Sequence, residues 1–195
     1  MSDPTSVHDN LQAALIRLAW RQWTALGASG RIEPDRRPVD PEALIIMTAR
    51  LGAVDARLRG VAVDWCLAAG HLVNEARLVA LVDEMGGLSP DVVDFLAIVR
   101  AAGGPSWLKV PADGRHYASR RKAHLTNYLA EGQLLLRLRA MLGVNARAEI
   151  VAILLGRSSP MPLAELARRS RFSRANIDKI AGDLAMAGLL EVSRP

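Results

Sequence analysis

Apolar residues recur every three or four positions over most of the first hundred residues, the spacing that places side chains on one face of a helix. The first stretch ends at Gly27, and the later ones begin at Asp40, Asp55, Asn74 and Ser89, all residue types that cap helix N-termini. Short links that contain glycine separate the stretches, so the first half is predicted to be a compact all-α domain. The predicted helices cover residues 7–26, 40–51, 55–69, 74–85 and 89–102.

The regular pattern breaks between residues 105 and 124. Residues 111–114 have turn chemistry, and residues 115–124 are basic and nearly free of apolar side chains. A strongly apolar stretch over 125–142 then predicts a long connecting helix, which is compatible with packing against a second copy or within the chain. The predicted organisation is an all-α helical domain over 1–111, a basic linker over 112–124 and a second domain over 125–195.

The end of the chain has a shorter and more specific pattern. Helices are predicted over 145–155, 163–170 and 174–187, with an extended link at 158–162 and a tight turn at 171–173. Gly188 ends the last helix, and 189–192 is predicted to be a strand. The small side chain of Ala167 allows the second and third helices to approach closely. The apolar residues expected to fill the space between these helices are Leu166, Phe172, Ile177, Ile180 and Leu184.

Polar residues occupy the remaining positions at the start of the third helix, which predicts that they point outward. This is the part of a helix-turn-helix that enters the major groove. Arg174 can pair with guanine and Asn176 with adenine, each worth about 1–3 kcal/mol of discrimination between bases. These two residues are the candidate base readers.

Six basic residues and only two acidic ones lie between Arg157 and Lys179. A solvated helix surface would explain some of them, but their concentration around the turn favours contact with phosphate. The residues predicted to bind DNA, by base or phosphate contact, are Arg168, Arg169, Arg171, Ser173, Arg174, Asn176 and Lys179.

Residues 167–189, ARRSRFSRANIDKIAGDLAMAGL, resemble winged helix-turn-helix transcriptional regulators of the MarR/ArsR type. The shared pattern is a small residue, a turn followed by serine, then Ile, Ile and Leu, and finally Ala-Gly-Leu before the wing. The start of the 145–155 helix is also similar. The resemblance covers about 50 of 195 residues and implies a winged helix that binds double-stranded DNA.

Two features depart from that pattern. Arg171 occupies a turn position that is often glycine, where a left-handed backbone would be strained. Only the first wing strand, 189–192, is predicted, so the expected fold is mainly α with a C-terminal winged helix-turn-helix and an incomplete wing.

The distribution of charge supports a polyanionic partner. Residues 1–111 hold 11 Lys/Arg and 13 Asp/Glu, whereas residues 112–195 hold 14 and 7. No stretch of the sequence is long and apolar enough for a membrane span, and the polar N-terminus lacks the features of a secretion signal, which predicts a cytoplasmic protein. The single cysteine, Cys66, is expected to be a small buried hydrophobe.

Catalytic chemistry is not indicated. The four histidines lack metal-ligand spacing, and the Gly-Gly pairs lack the residues of a phosphate-binding loop. We therefore expect no cofactor, no metal and no enzymatic activity. The four tryptophans favour packing over a ligand pocket.

These observations predict a DNA-binding transcriptional regulator that uses residues 174–187 as its recognition helix. The first domain would dimerise, sense a ligand or dock a partner. The alternative is a protein-interaction scaffold or antitoxin-like subunit in which the winged helix docks another protein.

Overall fold

The computed structural model describes residues 4–30, 32–114, 116–121, 123, 125, 128–155 and 157–192, with side chains from residue 7. The described part of the chain is mainly helical and contains no β-strand; Ala28 and Ala123 form an isolated antiparallel bridge. None of its helices is both long and apolar enough to cross a membrane. The helices are α1 (Pro4–Ala25), α2 (Pro41–Leu51), α3 (Ala56–Ala69), α4 (Glu75–Glu84), α5 (Pro90–Ala101), α6 (Leu134–Leu142), α7 (Ala146–Leu154), α8 (Leu163–Ser170) and α9 (Arg174–Met186).

The chain divides into two compact units, Met1–Leu134 and Leu135–Pro195. The linker predicted over 112–124 falls within the first of these units. Described residues of that segment are held on the first unit, because the side chains of Tyr117 and Ser119 both hydrogen-bond to Asp64.

In the first unit, α2 lies at the centre and contacts α1, α3, α4 and α5. Trp23 and Trp65 are fully buried beside it, with ring centroids 5.3 Å apart. Each indole N–H is satisfied: Trp23 donates to Thr48 Oγ1 at 2.8 Å and Trp65 to the carbonyl of Leu26 at 3.0 Å. The tryptophans therefore combine large apolar burial with paired polar groups.

The helices predicted in the first half are confirmed, and so are three of their caps. The side chains of Asp40, Asp55 and Asn74 each accept backbone N–H groups at the start of the helix that follows. Ser89 stands at the expected N-cap position of α5, but its side chain makes no capping hydrogen bond. The first turn of α5 therefore depends on Pro90 and on backbone hydrogen bonds.

The long helix predicted over 125–142 is wrong at residues 125 and 128–133, and residues 126 and 127 lie outside the described residues. A short 3-10 turn occupies Glu131–Gln133, and α6 begins only at Leu134. Gly132 packs so closely on α1 that a Cβ atom there would lie 2.8 Å from the Cβ of Ala25. Its carbonyl also accepts a hydrogen bond from Val39 N at 3.0 Å. These tertiary contacts outweigh the helical spacing of the neighbouring apolar residues.

In the second unit, α7, α8 and α9 contact one another around a shared core. The predicted filling of the space between α8 and α9 is confirmed: three of the five side chains are buried, and Phe172 and Ile180 are partly buried against them. Ala167 also packs on this core, as its small size suggested. The buried core residues are Ala146, Ile150, Leu166, Ile177 and Leu184.

The strand predicted over 189–192 is wrong. Gly188 adopts a φ of 71°, and Leu189 N donates to the carbonyl of Leu184 at 2.9 Å, which closes the C-terminus of α9. A strand also needs a neighbour to receive its backbone hydrogen bonds, and residues 189–192 pair with no described segment. The described residues therefore contain no wing strand.

A buried ion pair joins α6 to α7. The guanidinium of Arg139 is fully buried and donates from both Nε and Nη2 to Glu149 Oε1, with Nε at 2.8 Å. Two opposite charges in a dry interior compensate each other only while both are present. This pair therefore links α6 to α7 through two charges that need each other.

We expect Arg139→Met to lower the free energy of unfolding of the second unit by about 3–5 kcal/mol, because it leaves Glu149 buried without its partner. The double variant Arg139→Met/Glu149→Leu should regain most of that loss. All four tryptophans lie within residues 1–134, so tryptophan fluorescence follows the first unit alone. In urea unfolding, a transition that far-ultraviolet circular dichroism detects and tryptophan fluorescence does not then belongs to the second unit.

The matched control is Arg137→Met, which removes a partly exposed arginine from the same helix. Its effect should stay below about 0.5 kcal/mol. Equal losses in Arg139→Met and Arg137→Met would contradict the assigned role of the buried pair.

Candidate nucleic-acid interface

The helix pair α8–α9 forms as the sequence predicted, through a tight turn. Arg171 takes the left-handed conformation, with φ 63° and ψ 30°, and its N–H closes α8 on the carbonyl of Ala167 at 3.0 Å. Ser173 then caps α9 by accepting a hydrogen bond from Asn176 N at 3.3 Å. Ser173 therefore has a structural role, and its O–H donor is left for any second partner.

The first two turns of α9 have clearly distinct sides. Ile177 is fully buried, and Ala181 follows it on the core side one turn later. The residues between them face solvent, as predicted from the apolar spacing. The exposed residues in these turns are Arg174, Ala175, Asn176, Asp178 and Lys179.

The two arginines at the end of α8 converge on one carboxylate. Arg168 Nη2 and Arg169 Nε both lie 2.7 Å from Glu165 Oε1, and Arg168 Nε donates to Glu165 Oε2 at 2.8 Å. The hydrogen bonds from Arg168 and then from Arg169 lower the pKa of Glu165 to about 2. This carboxylate therefore stays charged at any physiological pH.

The candidate base reader Arg174 is also paired. Its Nε donates to Asp178 Oδ1 at 2.7 Å, one turn along α9, and both side chains are about half exposed. Exposed ion pairs of this kind contribute little to stability and weaken with salt. A stronger acceptor than Asp178 could therefore take over Arg174 at small cost.

Sequence reasoning counted Glu165 and Asp178 as opposing charges but did not identify them as direct partners of the predicted DNA-binding arginines. The signal was present, because residues three and four positions apart on a helix are neighbours. Of the other predicted residues, Asn176 and Lys179 lie exposed on α9, and Arg171 forms the turn.

The second unit is basic as a whole. Residues 135–195 hold ten Lys/Arg and five Asp/Glu. One cation and one anion of that set, Arg139 and Glu149, are buried together and cancel. The excess positive charge therefore belongs to the remaining residues, including those around the α8–α9 turn.

The described residues contain no group of three or more His, Cys, Asp or Glu side chains that could hold a metal ion. Cys66 is fully buried, as expected, and its burial raises the pKa of the thiol. Such a thiol is a packing residue of the first unit.

Comparison of the chain with family models, with curated proteins and with solved structures gives no match. The resemblance to winged helix-turn-helix regulators therefore depends on the residues of 145–189 and stays a prediction.

The strained turn gives a direct test of the local geometry. Arg171→Gly should unfold with a free energy about 1 kcal/mol higher than Arg171→Ala, because a Cβ atom disfavours the left-handed conformation and glycine has none. Both variants lose the same guanidinium, so their difference reports the backbone alone. The measurement is the urea transition of the second unit, followed by circular dichroism. Equal stability of the two variants would show that the turn is not left-handed in solution.

Proposed function

We propose that this protein is a DNA-binding transcriptional regulator in which α8 and α9 form a helix-turn-helix and α9 reads the major groove. One observation carries the proposal. The start of α9 exposes Arg174, Asn176 and Lys179 to solvent while Ile177, on the other side of the same turns, locks the helix into the core it shares with α8. A rigid helix with a polar, positively charged outer face is what a groove reader needs.

The proposed contacts fall into two classes. Arg174 would read guanine and Asn176 adenine, since each side chain can form two hydrogen bonds with that base. Lys179 and the arginines at the end of α8 would bind phosphates on either side of the groove, which fixes the register but carries no sequence information.

The ion pairs of the free chain fit this proposal. The carboxylates of Glu165 and Asp178 bind the guanidinium groups of Arg168, Arg169 and Arg174, which would donate in the same way to a phosphate oxygen. Binding would exchange each internal partner for one on DNA, so the arginines are held close to a usable position before contact.

The left-handed turn supports the same conclusion. Arginine is costly at a position where glycine would be relaxed, and strained residues concentrate at functional sites. A guanidinium at Arg171, between the two helices, would reach the DNA backbone beside the recognition helix. That contact would give a reason for arginine at this position.

The class of regulator and its location in the cell are also part of the proposal. A winged helix-turn-helix of the MarR/ArsR type and a cytoplasmic location both follow from the resemblance and from the composition. The proposed DNA contact depends on α8 and α9, since residues 189–192 supply no wing strand. Homodimerisation, sensing or partner docking by the first unit would decide when the DNA is bound.

The direct test is binding to a fluorescein-labelled duplex of 30 random base pairs, followed by anisotropy between 25 and 200 mM KCl. Each phosphate contact contributes about −0.9 to the slope of log K against log salt, so four cations (Arg168, Arg169, Arg171 and Lys179) predict a slope of about −3.6 per chain. Lys179→Ala should make that slope less steep by about 1. Arg36→Ala, an exposed arginine of the first unit, should leave it unchanged.

Base reading is tested by selecting bound duplexes from a random library with the wild type, with Arg174→Ala and with Asn176→Ala. Arg174→Ala should weaken binding to the selected site by about 1–3 kcal/mol and lose the preference for one guanine. Absence of binding at 25 mM KCl, or identical slopes and preferences in all variants, would exclude DNA as the partner of this surface.

Glu165→Gln should strengthen binding to the random duplex at 100 mM KCl by about three- to tenfold, because it releases Arg168 and Arg169 from their carboxylate partner. The pKa of Glu165 is lowered from its ordinary value of 4.5 to about 2. The carboxylate is therefore fully charged at any pH above 4.5 and loses its charge only as the pH falls towards 2. The affinity ratio of the two proteins should therefore be constant between pH 6 and pH 8.

Asp183→Asn is the matched control, because it removes the same charge from α9, where its partner is Arg147 at 4.0 Å. An equal gain in Asp183→Asn would mean that net charge, and not release of the two arginines, sets the affinity.

One observation favours the alternative function, docking of a protein partner. Met186 and Leu189, at the C-terminal end of α9, are 84% and 71% exposed. Large apolar side chains with such exposure occur at protein interfaces. Met186→Ser/Leu189→Ser distinguishes the two functions, since it should leave DNA affinity unchanged and should abolish binding to a stoichiometric protein partner.

A further inference from the structure

The first unit contains a cavity of about 560 Å³ between the start of α3 and residues 116–120. Its size lies within the range of small-molecule binding sites. All the residues that line it belong to the first unit and none to α8 or α9, so its ligand can be inferred independently of the proposed function.

The lining of this cavity combines two chemistries. Its apolar part comes from Ala56, Val61 and Ala118, and its charged part from Arg57 and Arg120. The imidazole of His116 also lines the cavity, and no described residue of the lining is acidic. An apolar wall with two guanidinium groups matches a ligand with an apolar body and a negative charge.

The segment over the cavity is anchored by one buried carboxylate. Asp64 is 3% exposed, and its Oδ1 accepts hydrogen bonds from Ser119 Oγ at 2.7 Å and from Arg120 N at 3.2 Å. The hydroxyl of Tyr117 lies 2.7 Å from the carbonyl oxygen of Gly60 and 3.1 Å from Asp64 Oδ1. These contacts fix the backbone that carries Arg120.

Burial, with a smaller effect of the Asp64 carboxylate, raises the pKa of Tyr117 to about 12. The phenol therefore stays protonated at neutral pH and keeps donating within this anchor. The ring of Tyr117, which also lines the cavity, is held in place as a result.

The other side of the cavity is also held in place. The guanidinium of Arg57 lies 5.3 Å from the centroid of the Trp20 ring, a cation–π contact. Trp20 itself donates from Nε1 to Asp55 Oδ2 at 2.9 Å, and Asp55 is the N-cap of α3. The capping residue thereby positions the ring on which Arg57 rests.

We propose that this cavity binds a small organic anion with an apolar body, its anionic group towards Arg57 and Arg120. A bare inorganic ion would leave the apolar wall without a partner, and a neutral ligand would leave the two guanidinium groups unused. A carboxylate or phosphate monoester on an aromatic ring satisfies both parts of the lining.

The probe is benzoate, with benzamide as its neutral counterpart of nearly equal shape. Each is titrated to 20 mM against the full chain at 50 mM KCl. Binding is followed by calorimetry and by the indole N–H signals of the four tryptophans in NMR spectra. Trp20→Phe identifies the Trp20 signal. Benzoate should bind saturably with a Kd of about 1 mM and shift that signal, and benzamide should bind at least about tenfold more weakly.

Arg57→Gln/Arg120→Gln should weaken benzoate binding by about tenfold, and circular dichroism should show an unchanged helical spectrum because both side chains are exposed. Arg36→Gln, which removes an exposed arginine that does not line the cavity, should bind benzoate as the wild type does.

Three results would overturn the proposal. One is the absence of saturable benzoate binding, and a second is equal affinity for benzoate and benzamide. The third is an equal loss in Arg36→Gln and in the double variant, which would indicate non-specific attraction of benzoate to a basic protein and no defined site.

Discussion

The buried ion pair between Arg139 and Glu149 is the constraint on which the second unit depends. Its two charges have left water, so neither residue can be replaced singly without leaving the other uncompensated. Glu149 belongs to α7, whose Ala146 and Ile150 form the core against α8 and α9. The pair therefore fixes α6 on the helix that supports the candidate recognition helix. Apolar contacts alone would allow α6 to slide or rotate on α7, whereas a hydrogen-bonded guanidinium accepts one arrangement.

The helical spacing of α9 then separates the side chains that pack in the core from those that face solvent. The buried positions, Ile177 and Leu184 among them, are seven residues apart, which is close to two helical turns. The solvent-facing positions in the first turns of α9 are free to be polar without loss of packing, and the chain places Arg174, Asn176 and Lys179 there. The carboxylates of Glu165 and Asp178 hold three of the nearby arginines in the free protein. A surface built in this way is charged but already neutralised in part, so a polyanion would have to displace these internal partners.

Local features of the fold could be predicted from the sequence because they depend on a few neighbouring residues. The caps at Asp40, Asp55, Asn74, Asn145 and Ser173 each satisfy a backbone N–H two or three residues away, so the helix starts follow from the residue type and the spacing. The helix predicted over 125–142 begins too early because Gly132 packs on α1, which is more than one hundred residues away in the chain. The strand predicted over 189–192 failed because strand formation depends on a neighbour. The partners of Arg168, Arg169 and Arg174 could have been predicted from helix spacing. The partner of Arg139, Glu149, lies on another helix, so the sequence does not distinguish it from the other acidic residues.

In both units, buried or capping carboxylates hold one segment of the chain in a fixed position on another. In the first unit, Asp64 holds the irregular segment that carries Tyr117 and Arg120, and Asp55 combines a helix cap with a hydrogen bond to Trp20. In the second, Glu149 joins two regular helices. Each carboxylate accepts several donors, which is how a charge or a strong acceptor is retained inside a protein at tolerable cost. Apolar packing is non-directional and would leave an irregular segment with many near-equivalent positions, but a carboxylate with fixed donors selects one. Asp64 thus fixes the backbone that carries Arg120, and Glu149 fixes the helix that supports α8 and α9, and a ligand need contact neither acid.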